Sequence, residues 1–120
     1  MSINEYFTDL ASKHVASVTA GPRYAYHAWR ATQEHGADMF EVDELLPWGE
    51  GAPATMVEFI DTLRAAGVET FAVTDRSTAL MDELLALFAT GCTLVGPCTV
   101  TRRHEYWGIE ERTGLEFKIN

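Results

Sequence analysis

Between Thr55 and Val100 the hydrophobic period switches from helix to strand, back to helix and again to strand, and this stretch limits the fold more than any other. Thr55 and Glu58 have the spacing of a capping box. Met56, Phe59, Ile60 and Leu63 then form a helical stripe that Gly67 ends. Val68 to Val73 alternates and is rich in β-branched residues, which predicts a strand. Asp75 or Ser77 caps the next helix. Its Leu80, Met81, Leu84, Leu85, Leu87 and Phe88 give a broad apolar face, expected to be well buried, and Gly91 closes it. Cys92 to Thr101 reads as a strand broken at Gly96-Pro97. Pro97 has no N–H for a ladder, so a bulge, an edge position or a strand start is expected there. A strand–helix–strand connection this short favours a right-handed parallel crossover.

The flanks are read the same way. Ser2 and Glu5 form another capping box, and Ile3, Tyr6, Phe7, Leu10 and Ala11 recur at helical spacing in a helix running to about Val18. Pro22 suits the first turn of a second helix, which carries Ala25, Tyr26 and Trp29 and stops at Gly36. Met39 to Val42 alternates weakly, as a short strand would. Asp43 then caps one helical turn that Pro47 ends, and residues 49–53 are a loop. Arg102-Arg103-His104 reads as a polar turn, Tyr106 to Ile109 as a strand, and Glu111 to Gly114 as a second turn. Leu115, Phe117 and Ile119 alternate with Glu116 and Lys118 in a half-buried terminal strand. The sum is one α+β domain over 1–120, a two-layer α/β arrangement. Residues 1–36 are helical, and 54–120 hold a helix followed by β-α-β-β-β. The sheet is mixed, with about four strands.

The chain has 120 residues, 47% of them hydrophobic, which suits one globular domain. No apolar run approaches the roughly 18 residues of a membrane span. The first residues have neither a basic nor an apolar signal region, so the expected location is the cytoplasm. The net charge is -9, and seven acids with no Lys or Arg lie between Asp38 and Asp61. Such a surface repels phosphate backbones, which excludes nucleic-acid binding by direct phosphate contact. Two readings of the acidic stretch stay open. One is a docking face for a basic protein partner, or a mimic of nucleic acid, with Glu41, Asp43 and Glu44 beside the loop residue Trp48 as an anchor. The other is a solvated face that keeps the protein soluble. Cys92 and Cys98 are expected as reduced, buried small residues.

The usual chemical motifs are missing. His27 and His35 are eight residues apart on one helix, about 12 Å of rise, and cannot share a metal. There is no Cys-x-x-Cys and no His-Glu-x-x-His, so neither a metal nor a cofactor is expected. Cys98 with Arg102 and Arg103 lacks the spacing and the glycine-rich turn of a cysteine-phosphatase loop. No catalytic residue emerges. The one ligand location is the strand-to-helix turn Asp75, Arg76, Ser77 and Thr78, where free N–H groups and the helix dipole attract anions. Arg102 and His104 could converge on it. Simple helix capping explains the same residues, worth about 1 kcal/mol.

The runs Glu69 to Leu84, Gly91 to Gly96, Cys98 to Arg102 and Trp107-Gly108 resemble a family of small uncharacterised bacterial proteins, a domain of unknown function associated with mobile elements of gut Gram-positive bacteria. The likeness spans about Phe40 to Ile119. It implies an accessory role, in element maintenance or host interaction, and brings no activity or site residue. Two function classes follow. The first is a non-enzymatic protein-binding or regulatory module using the acidic face and Trp48. The second is a small-molecule or anion-binding protein, with enzymes among the alternatives, using the 74–78 turn. Self-association through the sheet edge or a helix face, giving a homodimer, is compatible with both.

Overall fold

A computed structural model of the chain describes residues 2–13, 19–42, 52–74, 80–106 and 108–120, with backbone alone at 52–53 and 80–83. The elements are α1 (Ile3–Ser12), α2 (Ala20–Glu34), β1 (Glu41–Val42), α3 (Ala52–Ala66), β2 (Thr70–Val73), α4 (Leu80–Ala89), β3 (Thr93–His104) and β4 (Gly108–Lys118). The fold is α+β, with a four-stranded mixed sheet in the order β1-β2-β4-β3.

Local chemistry sets the helices. The Ser2 hydroxyl accepts the Glu5 N–H at 3.1 Å, as the capping box requires. α1 ends at Ser12 rather than near Val18, and residues 14–18 lie outside the described residues. α2 closes in a Schellman motif. The Ala37 N–H donates to the Thr32 carbonyl at 3.1 Å and the Gly36 N–H to the Gln33 carbonyl at 3.2 Å. α3 begins at Ala52, so the box expected at Thr55 and Glu58 lies inside the helix. Pro53 sits in its first turn, where a missing N–H costs nothing. Glu58 acts at the start of a different helix. Its Oε2 accepts the Gly21 N–H of α2 at 3.4 Å. At this crossing a Cβ on Gly21 would lie 2.3 Å from the Glu58 Cβ.

Phe7, Phe59, Phe71 and Phe117 are fully buried, with Met56, Ile60, Leu63 and Leu87 among them. Burial of each large apolar side chain contributes about 1.5–3 kcal/mol. Phe71 and Phe117 are register partners on β2 and β4, and their rings stack at 5.8 Å. Trp29 packs on Phe7 at 5.6 Å, and its indole N–H donates to the Asn4 Oδ1 at 2.9 Å. Cys92 is buried and Cys98 half-buried, both are free thiols, and burial pushes both pKa values up. α4 is less covered than its composition suggests. Among its described side chains Leu87 is buried and Leu84 packs partly buried on the core, but Leu85 and Phe88 are exposed.

The strand connections differ from the simple expectation. β2 and β3 run parallel, but β4 lies between them, antiparallel to each. The parallel neighbours are β1 and β2, joined through α3. The expected break at Gly96-Pro97 is a register shift between Leu94 and Gly96, on a strand at the sheet edge. The turns expected at Arg102 to His104 and at Glu111 to Gly114 are not turns. β3 continues through His104, the chain reverses after it, and β4 is continuous from Gly108 to Lys118. Gly114 pairs with Cys98, and a Cβ there would lie 2.8 Å from both the Val73 carbonyl oxygen and the Thr74 Cγ2. Its role is close approach of strands, not a turn.

Candidate functional site: an anchored hairpin arm

β2 stops at Val73, opposite Leu115. Beyond that point β3 and β4 continue together, from the pair Cys98–Gly114 to the pair His104–Gly108. Among the described residues, Gly108 to Thr113 pair only with β3. Residues 98–113 therefore form a two-stranded arm.

The arm returns to the end of α2. Ala37 bridges to Arg102 in antiparallel sense. The Asp38 N–H donates to the Thr101 carbonyl at 2.9 Å, and the Arg103 N–H to the Gly36 carbonyl at 3.1 Å. The Asp38 Oδ1 accepts the Thr101 N–H at 3.0 Å. Gly36 makes this approach feasible. Its φ is 59°, and a Cβ there would lie 2.5 Å from the Arg103 carbonyl oxygen.

Strand alternation turns Val100 and Arg102 inward and Thr99 and Arg103 outward. Arg102 is 4% exposed and meets Glu41, which is 1% exposed. The Arg102 Nε donates to the Glu41 Oε1 at 2.8 Å and to Oε2 at 3.1 Å, and Nη2 donates to Oε1 as well. Thr32 fixes the backbone of Glu41. Its hydroxyl accepts the Glu41 N–H at 3.0 Å while donating to the Ala28 carbonyl at 2.8 Å. The His35 Nδ1 is 3.8 Å from the Glu41 Oε1, buried, and has no hydrogen-bond partner. Further along the same face, the His104 Nε2 lies 3.1 Å from the Glu110 Oε2, and the Arg102 Nη1 is 4.0 Å from the same oxygen. The hydrogen bond from His104, and behind it the charge of Arg102, hold the Glu110 carboxyl below its usual pKa.

A buried ion pair adds little net stability, since desolvation offsets most of the attraction. Its bidentate geometry fixes direction instead. Here it sets where the arm points. The tip then presents Tyr106, 86% exposed, and Ile109, 69% exposed. Contiguous exposed apolar surface marks contact sites, whereas single exposed apolar side chains are ordinary.

The structure thus unites residues that the sequence assigned to separate sites. Arg102 meets Glu41 and Glu110, and His104 meets Glu110; their expected convergence on the 75–78 turn lies outside the described residues. Glu41 is not part of a solvated docking face, because its carboxylate is buried against a guanidinium. Asp43, Glu44, Trp48 and the turn Asp75, Arg76, Ser77 and Thr78 lie outside the described residues, as does Trp107. In the sequence Tyr106 and Ile109 read as parts of a strand and not as candidates, because an exposed strand-end residue carries no periodic signal that separates it from a buried one. A groove of about 400 Å³ runs between α1, α2 and residues 37–40. Among the described residues its lining includes Asp38 and no basic side chain. Among the described residues, no group of three or more His, Cys, Asp or Glu could hold a metal. None of the described helices is long and apolar enough to cross a membrane.

Fold and site together define a small α+β domain whose distinguishing feature is an arm fixed by a buried ion pair. A family model described as a domain of unknown function, DUF7698, matches residues 24–119, and the chain belongs to that family. The matched span contains the whole arm and its anchor. No curated protein and no solved structure shows a significant match.

Proposed function

We propose that this protein is a non-enzymatic protein-binding module that recognises its partner with the hairpin tip. The observation that carries the reading is the pairing of an exposed Tyr106 and Ile109 with a buried anchor close behind them. Aromatic side chains on a rigid support are the usual centres of interface energy. The net charge of -9 favours a basic protein partner over nucleic acid or an anionic membrane. Asp43, Glu44 and Trp48, by their charge and aromatic character, are further candidates for contact with such a partner. A cytosolic accessory role, of the mobile-element kind that the resemblance implies, fits this chemistry. The test places a photo-crosslinking amino acid at position 106, and at Lys13 as control, in cells that make the protein. A discrete adduct from position 106 that is lost with Ile109→Ser supports the reading. Equal adducts from both positions, or none, sink it.

A second reading keeps the 74–78 turn as an anion or small-molecule site. The observation in its favour is Thr74. This residue is 2% exposed at the carboxyl end of β2, and its hydroxyl has no hydrogen-bond partner. Ligands of parallel sheets bind beyond such strand ends. Inorganic phosphate should then raise the melting temperature of the wild type and not of Thr74→Val. An identical response in both proteins rejects this reading.

A further inference from the structure

We propose that residues 98–113 are a hinged strap, which opens from the body as one unit by releasing its anchor at residues 36–41. The inference rests on the tip-recognition reading for its use, but not for its physical basis.

The hinge is visible on both strands. On β3 the register shift between Leu94 and Gly96 interrupts the ladder, and Gly96 has φ 147° with nothing near its missing Cβ. Pro97 follows and offers no N–H. On β4 the pivot is Gly114, where the strand leaves β2 and passes against Val73 and Thr74. Beyond this line the described hydrogen bonds between strap and body include the two backbone bonds that flank Ala37, the Asp38 side-chain bond and the Glu41–Arg102 pair; the His35 and His104 rings also meet at 6.4 Å. Such contacts make a reversible latch. Water replaces each broken hydrogen bond, and both charges regain their hydration when the pair separates. Among the described residues of the strap Val100 is the one buried apolar side chain, so opening forfeits little apolar burial. Opening would free the tip from its fixed direction and expose Val100 and Glu41, so the latch controls how Tyr106 and Ile109 are presented. Hinges at element ends and local openings of this kind are ordinary modes of folded domains.

Native-state hydrogen exchange of the full chain, followed residue by residue, tests this without any partner. The amides of Asp38, Thr101 and Arg103 are expected to share one opening equilibrium and exchange roughly tenfold or more faster than Ala72 in the sheet centre. Asp38→Ala removes one latch bond at an exposed side chain. It should speed those three amides roughly three- to tenfold and leave Ala72 unchanged. If the three amides are as protected as Ala72, the strap does not open separately. If Asp38→Ala accelerates Ala72 equally, the latch is part of the global fold. Either result overturns the proposal. A rigid strap with a productive crosslink at position 106 would refute the hinge and leave the binding reading standing.

Discussion

At the scale of single residues, two glycines carry constraints that no side chain could meet. Gly36 ends α2 with positive φ and lets the arm come within hydrogen-bond distance. Gly21 sits inside α2, where glycine is ordinarily a loss of up to about 1 kcal/mol against alanine. Here the contact decides otherwise. A Cβ would lie 2.8 Å from the Phe59 backbone nitrogen as well as against the Glu58 Cβ, so α2 and α3 would have to separate. Gly21→Ala should therefore destabilise the protein by about 1–3 kcal/mol, although it improves helix propensity. Urea denaturation reads the sign directly, and a stabilised variant would mean that the helices relax apart at no cost. Neither packing role leaves a local signal in the chain. The sequence shows glycine as a stop signal, which served for Gly36 and was silent for Gly21 and misleading for Gly114.

Elements were legible in proportion to how one-sided their environment is. α1, α2 and α3 each have one covered face, and their periods appear plainly in the chain, whereas β2, buried at Phe71, Ala72 and Val73, is marked by its β-branched and aromatic content. The arm has little cover beyond its anchor, so the hydrophobic alternation that marks a strand fades between Arg102 and Gly114. Polar residues there imitate turns, although the register is continuous. α4 erred in the opposite direction, since its apolar side chains exceed what its packing covers. The cross-strand pair of His104 and Glu110 gives the arm a pH signature. The Glu110 carboxyl titrates below its usual 4.5 in the folded protein, so the pairing stabilises above that value. That stabilisation is lost as the pH falls through the lowered folded-state value. The stability difference between wild type and Glu110→Gln should thus be present near about pH 6 and vanish on acidification below about pH 4.5. A difference that stays constant across this range would show that the two side chains are neighbours without electrostatic consequence.

At the scale of the whole molecule, the sheet order separates residues adjacent in pattern and unites residues distant in sequence. β4 enters between β2 and β3, and the resulting β3–β4 hairpin is long enough to reach back to residues 36–41. This closure brings Glu41 to Arg102 across 61 positions. It turns a member of an acidic run and a member of a supposed turn into one buried pair. The sequence by itself determined the α+β class, the order of the main elements, the bulged edge strand and the absence of familiar catalytic motifs. Those features depend on local propensity, period and spacing, which the chain records residue by residue. The tertiary structure alone decided which charges are buried, where the strands pair and what the hairpin tip presents. These depend on which distant groups share a low-dielectric contact, and one chain read in order does not encode that proximity in any local signal.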